Sequence, residues 1–452
     1  MGFTKDFKWG TATASYQIEG AISEDGKKDS IWDAFCREEG RIENGETGEF
    51  ACDHYHRYKE DVTLMAEMGL NAYRFSISWS RVLPDGIGKV NEKGIKFYSD
   101  LVDELLKNGI EPYVTLFHWD YPLALEEKGS WANQESPYWF EEFTRVIAER
   151  LGDRVKNFIT FNEPQCFLNL GYVVGRHTPG KQLGLEVTIP MMHNVMKAHG
   201  LAVKAIREIV PDAKVGYSPC GRVFFPKTES EEDIKAVYEK YFAVTPQRWA
   251  DSVSWWSDPV MLGHYPKDGL ELFEQYLPSN YEEDLKIIHQ PLDFYGQNLY
   301  NGIAVHVENG VTEAQANWTG PGQARQLIPG WYVNPDVMYW GPKFLYERYK
   351  TPIMITENGM CCHDTVSLDG KVHDPNRIDF INRYLLKLRK AVDDGVDVRG
   401  YFVWSLLDNM EWIRGYDPRF GLIYVDYNTF ERIPKDSFYW YKQVIESNGD
   451  NL

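Results

Sequence analysis

Short apolar runs rich in Val, Ile, Phe and Tyr recur along the chain, separated by longer stretches in which apolar residues return every three or four positions. The first kind of run reads as buried strand and the second as amphipathic helix. Strands are predicted over 7–13, 71–77, 112–117, 157–161, 214–217, 294–300, 352–356 and 398–404. Helices are predicted over 54–68, 91–108, 137–151, 189–210, 335–349, 376–392 and 437–446, with a charged helical region over 231–286. Gly69 and Gly109 stand where two of these helices should stop, the usual place for a glycine exit. Segment 301–334, polar and rich in Gly and Pro, reads as a long functional loop. Eight strands alternating with helices fit a closed parallel barrel better than an open doubly wound sheet. The expected architecture is α/β, a single (β/α)8 TIM barrel spanning residues 1–452, with long βα loops forming its mouth.

Composition narrows what such a barrel could do. A formal net charge of −19 argues against nucleic acid and anionic membranes as partners, since basic patches are their usual footprint. Six cysteines include no Cys-x-x-Cys pair, so neither a zinc cage nor a disulfide framework is expected. His54 and His56 open a helix on which positions two apart do not face each other, and no metal is assigned to them. No Gly-x-Gly-x-x-Gly opens a helix and no Gly-x-x-x-x-Gly-Lys run occurs, so no cofactor is expected. The amino terminus lacks a basic-then-apolar signal and no apolar run approaches about eighteen residues, from which a cytoplasmic location is expected. Aromatic residues reach 15%, above what a core of this size requires; sugar-binding clefts need such faces, and because large cores and interfaces need them too the weight they add is modest.

The chemistry concentrates at strand ends, which in a parallel barrel converge on one face however far apart they lie in sequence. The fourth strand closes on Asn162-Glu163-Pro164, and the seventh runs into Glu357-Asn358-Gly359, read as a turn. Pro164 disfavours helical geometry for the residue before it, so Glu163 is expected to stay extended at the tip. Gln17, Arg74, His118, Asn162, Asn298, Tyr300, Trp404 and Glu411 fall at the other ends. Two carboxyl groups flanking an acetal can act as the acid that protonates the leaving oxygen and as a base or nucleophile on the opposite side. An arginine beside one would keep it ionised, and that charge would raise the pKa of the other.

Four motifs in order, Thr160-Phe161-Asn162-Glu163-Pro164, Ile355-Thr356-Glu357-Asn358-Gly359, the run from Trp404 to Trp412, and Phe420-Gly421-Leu422-Ile423-Tyr424-Val425-Asp426, resemble the β-glucosidases of glycoside hydrolase family 1. The likeness runs from Phe7 to about Val444. It implies a retaining, exo-acting enzyme with Glu163 as acid/base and Glu357 as nucleophile, acting on a β-glucoside or a short β-linked oligosaccharide through a covalent glycosyl-enzyme. By the same resemblance Arg74 and Tyr300 hold Glu357, Asn162 binds the sugar 2-hydroxyl, and Gln17, His118, Glu411 and Trp412 bind the other hydroxyls. Trp404 is the floor under the ring, and Asn298 completes the polar shell.

Family members that cleave 6-phosphoglycosides generally replace the Glu-Trp pair kept here as Glu411-Trp412, so an unphosphorylated sugar is expected, with β-galactosides and β-fucosides as further substrates. Plant thioglucosidases carry Gln where Glu163 stands, which favours an O-glycosidase. Met410 and Leu299 depart from the more frequent Phe and Tyr, bearing on packing around the sugar. On the leaving-group side Gln165, Cys166, Asn169, Tyr172, His177 and Trp331 are expected to face the aglycone, Trp331 as its stacking platform. Cys166 has no neighbouring base or cation to make it a nucleophile. A sugar-binding protein that has lost catalysis and a transglycosylase using the same intermediate are the alternatives; a nitrophenyl β-glucoside assay, and product analysis with added alcohol, separate them.

Overall fold

The computed structural model describes residues 2–315 and 324–452. Eight strands close a barrel: β1 (Lys8–Ala12), β2 (Ala72–Ser76), β3 (Glu111–Phe117), β4 (Asn157–Asn162), β5 (Lys214–Ser218), β6 (Phe294–Asn298), β7 (Ile353–Asn358) and β8 (Val398–Trp404). Every pair is parallel and in chain order, and β8 returns to β1 with Lys8 opposite Gly400 and Ala12 opposite Trp404. Strand side chains alternate between two cores. Ala72, Tyr113, Ile159, Phe294, Met354 and Phe402 fill the barrel interior, whereas Tyr73, Phe75, Val114, Phe158 and Val403 face the surrounding helices.

The helices arise where the apolar spacing predicted them. His54–Met68 buries Val62, Met65 and Met68 and stops at Gly69, whose φ of 83° lets its N–H turn back to the carbonyl of Ala66. Within it His54 is buried against Asp61, while His56 is half outside against Asp53, so the two histidines do not converge. Glu92–Lys107, Ser136–Leu151, Leu185–Ile209, Val337–Tyr349, Pro375–Asp393 and Asp436–Glu446 complete the outer layer. The charged region after β5 resolves into four helices, Glu231–Phe242, Val253–Met261, Lys267–Phe273 and Tyr281–Ile288. Among the described residues no helix is long and apolar enough to cross a membrane.

The expected loop at 301–334 is in part regular structure. Gly302–Glu308 and Val311–Gln315 form an antiparallel hairpin whose first strand pairs with Val223–Pro226. Its turn is Asn309-Gly310, both at positive φ, and an Asn-Gly between alternating residues is itself a hairpin signal that the composition of the segment obscured. Residues 316–323 of that loop lie outside the described residues. After β8 the chain crosses the barrel mouth and returns through a short hairpin, Ile423–Val425 with Arg432–Pro434. Buried ion pairs hold this crossing: Lys435 bridges Asp408 (2.7 Å) and Asp364 (2.5 Å), and Arg377 binds Asp364 (2.6 Å) and Asp374.

Candidate active site

Both acids reach the mouth through interruptions of regular strand. Along β4 the register against β5 slips between Ile159 and Asn162, and along β7 it slips beyond Ile355 against both neighbours. Such an irregularity re-aims the side chains that follow it. Asn162 therefore turns into the mouth beyond Ile159, and Glu357 enters the same cavity although Met354 and Thr356 already point inward. Glu163 is not extended as its sequence suggested. It sits in the left-handed region (φ 44°, ψ 61°) as the residue before a short helix, Pro164–Leu168, and its N–H is held by the Ser218 carbonyl at 2.8 Å. Proline restricts the preceding residue away from right-handed helix, and here the alternative adopted is left-handed. Nor is Asn358-Gly359 a turn: Asn358 ends β7, its amide donating to the carbonyl of Leu299 at 2.6 Å.

One hydrogen-bond network joins the two carboxylates. The Arg74 guanidinium donates to Glu357 Oε1 (2.8 Å), to the Thr356 carbonyl (2.9 Å) and to Asn162 Oδ1 (2.6 Å). Tyr300 donates its hydroxyl to Glu357 Oε2 at 2.7 Å. Asn298 donates through Nδ2 to Glu163 Oε1 (2.9 Å) and to Asn162 Oδ1 (2.8 Å), while its own oxygen accepts from Thr356 (2.7 Å). Burial pushes the Glu357 carboxyl up to about 7, opposed by Arg74 and Tyr300 and reinforced by Glu163. It raises Glu163 as well, against the Asn298 and Cys166 hydrogen bonds. The donor sets still differ: Glu357 receives a cation and a phenol, one on each oxygen, and among the described residues Glu163 receives no cationic donor.

Asn162 cannot be turned around, because its oxygen serves Arg74; its Nδ2 then donates to His118 Nε2 at 2.9 Å. Burial and the Arg74 charge push His118 well below the usual imidazole range, so it is neutral with its proton on Nδ1, an atom without a partner among the described residues. The cavity measures about 520 Å³, within the ordinary range for small-molecule sites. His118, Asn162, Glu163, Asn298, Tyr300, Glu357, Trp404, Glu411 and Trp412 line it. Arg74 and Gln17 stand behind that lining. Gln17 is wholly buried, its amide nitrogen committed to Asn409 Oδ1 (3.0 Å) and the Met410 carbonyl (2.8 Å), which braces the segment that carries Glu411.

On the outer side Gln165, Cys166, Asn169, His177 and Trp331 also line the cavity, Trp331 packed against Tyr300 with ring centroids 5.1 Å apart. Tyr172 does not. The chain widens into a π-helical turn over Asn169–Val173, which rotates Tyr172 into the core, where its hydroxyl donates to Glu126 at 2.6 Å. Trp119 was missed: it stacks on Trp412 at 4.6 Å and donates its indole N–H to the Asn162 carbonyl. Its place beside His118 was the available signal. Arg176 and Arg222 come to the cavity from loops, and Asp251 and Arg414 from the ends of short 3-10 turns, Trp249–Asp251 and Trp412–Arg414, none with a sequence signature. Among the described residues, two groups of three could hold an ion: Glu163 with Cys166 and Cys220 inside the cavity, and His306 with Glu308 and Glu313 on the outer hairpin.

The chain is 45% identical over 449 residues to β-glucosidase A of Thermotoga maritima, covering 99% of this chain and 98% of the relative. A 1,4-β-D-glucan glucohydrolase of Thermotoga neapolitana is likewise 45% identical, with 99% of each chain covered. The solved structure of the Thermotoga maritima β-glucosidase in complex with glucoimidazole superposes with a TM-score of 0.90 at 45% identity over 99% of both chains. The family model described as glycosyl hydrolase family 1 matches residues 1–450, and the chain belongs to that family.

Proposed function

We propose that the protein is a retaining, exo-acting β-glucosidase that hydrolyses unphosphorylated β-D-glucosides and short β-linked oligosaccharides, with β-galactosides and β-fucosides as further substrates. The observation that carries this is the pair of carboxyl groups on one cavity with unequal donors. Negative charge on Glu163 raises Glu357, and of the two carboxyls the one with the charged donor ionises first. Glu357, between Arg74 and Tyr300, holds the negative charge; Glu163 keeps the proton.

Glu357 attacks the anomeric carbon while Glu163 protonates the departing oxygen, forming the glycosyl-enzyme and releasing the aglycone alcohol. Glu163, now ionised, takes a proton from water, whose oxygen attacks the same carbon from the vacated side; the sugar leaves with its original configuration and Glu357 is free again. His118 Nδ1–H and the second Nδ2 proton of Asn162 are donors for sugar hydroxyls, Glu411 is an acceptor, and Trp404 and Trp412 offer ring faces to the apolar side of the sugar. Trp331 and Cys166 belong to the aglycone side. The Glu411-Trp412 pair, which members of the family that cleave 6-phosphoglycosides generally replace, supports the unphosphorylated substrate. Six cysteines without a disulfide suit a cytoplasmic setting.

Glu357→Ala should abolish turnover of a nitrophenyl β-glucoside, and added azide should restore reaction and yield the inverted, α-configured glycosyl azide. Near-normal hydrolysis by the variant would overturn the assignment.

A further inference from the structure

Beside the acid/base carboxyl lie two thiols that the hydrolytic cycle does not use. Cys166 sits one turn into the helix that follows Glu163, and Cys220 lies just beyond β5, on the neighbouring barrel strand. Their sulfurs are 3.2 Å apart, and both line the cavity. A carboxylate oxygen of Glu163 and the two sulfurs all fall within 4.8 Å of one another. The arrangement is held from outside: the Gln165 amide donates to the Cys220 carbonyl (2.9 Å) and accepts from the Cys220 N–H (3.2 Å), clamping the two segments together.

We propose that Glu163, Cys166 and Cys220 form a binding site for a thiophilic divalent cation such as zinc or cadmium, and that occupancy switches the enzyme off by taking the acid/base carboxylate as a ligand. The fit is close. Zinc–sulfur bonds of about 2.3 Å in a tetrahedron set the sulfurs about 3.8 Å apart, so from 3.2 Å they need to spread by about 0.6 Å, and somewhat more for the larger cadmium. Two sulfurs and one oxygen leave a fourth position for water. Binding displaces the thiol protons and the carboxyl proton to solvent; nothing is oxidised. A Glu163 carboxylate bound to a cation has no proton to give the departing oxygen, so the effect on hydrolysis rests on the acid role proposed above, whereas the site itself does not.

The test is a titration of the untagged, reduced protein with cadmium chloride, following near-ultraviolet sulfur-to-cadmium absorbance and, in parallel, hydrolysis of an aryl β-glucoside. Absorbance should saturate as activity falls at least about tenfold, with both reversed by a chelator. Cys220→Ser should hydrolyse the glucoside without cadmium yet require at least about tenfold more cadmium for either signal, the scale of effect expected when a ligand is removed. Cys166→Ser should do the same to the absorbance, and Glu163→Gln should weaken cadmium binding even though it cannot be scored by activity. Equal cadmium sensitivity in wild type and both cysteine variants, or saturating absorbance with undiminished hydrolysis, would overturn the proposal. Absence of hydrolysis from every metal-free protein would instead count against the glucosidase assignment, leaving the absorbance comparison to decide the site.

Discussion

Glu163 is held in a backbone conformation that residues with a side chain rarely adopt, at a cost on the order of 1 kcal/mol. Three contacts impose it: Pro164 starts a helix immediately after it, Ser218 takes its N–H, and Asn298 takes its carboxyl. Strain accepted at that point keeps the acid rigidly above the cavity rather than swinging on a loose loop. An acid that matters only for protonating the departing oxygen should be dispensable where the departing group needs no proton. Glu163→Ala is therefore expected to slow hydrolysis of an alkyl glucoside or a disaccharide by about 10²–10⁴-fold, and the glycosylation step with a dinitrophenyl glucoside far less. Steady-state and pre-steady-state rates on the two substrates check this, and equal losses would contradict the acid role. That Glu163 stands at a strand tip was legible from Asn162-Glu163-Pro164; that it turns left-handed was not, because proline excludes one region of backbone space and leaves two.

The strands and helices themselves were the legible part, since each carries its own spacing: β1 to β8 and the helix ending at Gly69 fall within a few residues of where apolar periodicity put them. The register slips in β4 and β7 were not, for no residue type announces a slip that depends on the neighbouring strand. The same holds for Lys435, Asp408, Asp364 and Arg377, which meet only once the last hairpin has folded over the barrel. Gly359 shows how such an element is fixed. A Cβ there would lie 1.7 Å from the carbonyl oxygen of Trp404, so the chain leaving β7 passes directly against the end of β8. Neither is free to move, because Arg74 and Tyr300 hold Glu357 on one side and the ion pairs hold the segment after Trp404 on the other. Gly359→Ala should cost about 3 kcal/mol or more, as a backbone clash that no rotamer can relieve. Denaturant unfolding measures this directly, and a midpoint unchanged from wild type would show that the two strand ends can part.

Stability of the whole barrel should follow pH through two opposed sets of buried groups. Burial pushes His177 and His199 down to about 3 and His118 well down as well, whereas an unfolded imidazole takes its proton near 6.5. Their contribution is complete above about pH 6.5 and is lost as pH falls from there towards 3. Burial also pushes Asp120 and Glu411 up to about 8; at Glu411 the charge of Glu357 adds to the rise. Those carboxyls contribute most below their unfolded values near 4 and lose that contribution progressively as pH rises from there to about 8. Between about pH 4 and 6.5 the two slopes oppose each other; above 6.5 the histidines have nothing further to add and the carboxyls still subtract. The melting temperature should therefore peak on the acidic side of neutrality and fall towards pH 8. Glu411→Gln isolates the cause, because it keeps the shape of the side chain and removes a titration that the folded cavity resists. The variant should gain more melting temperature at pH 8 than at pH 5.5, while on the proposed sugar-binding role its KM for glucosides rises, because one acceptor oxygen becomes an NH2 donor. Melting curves at the two pH values decide it: an equal difference at both would mean that the Glu411 carboxyl costs the fold nothing, and that the alkaline decline comes from Asp120.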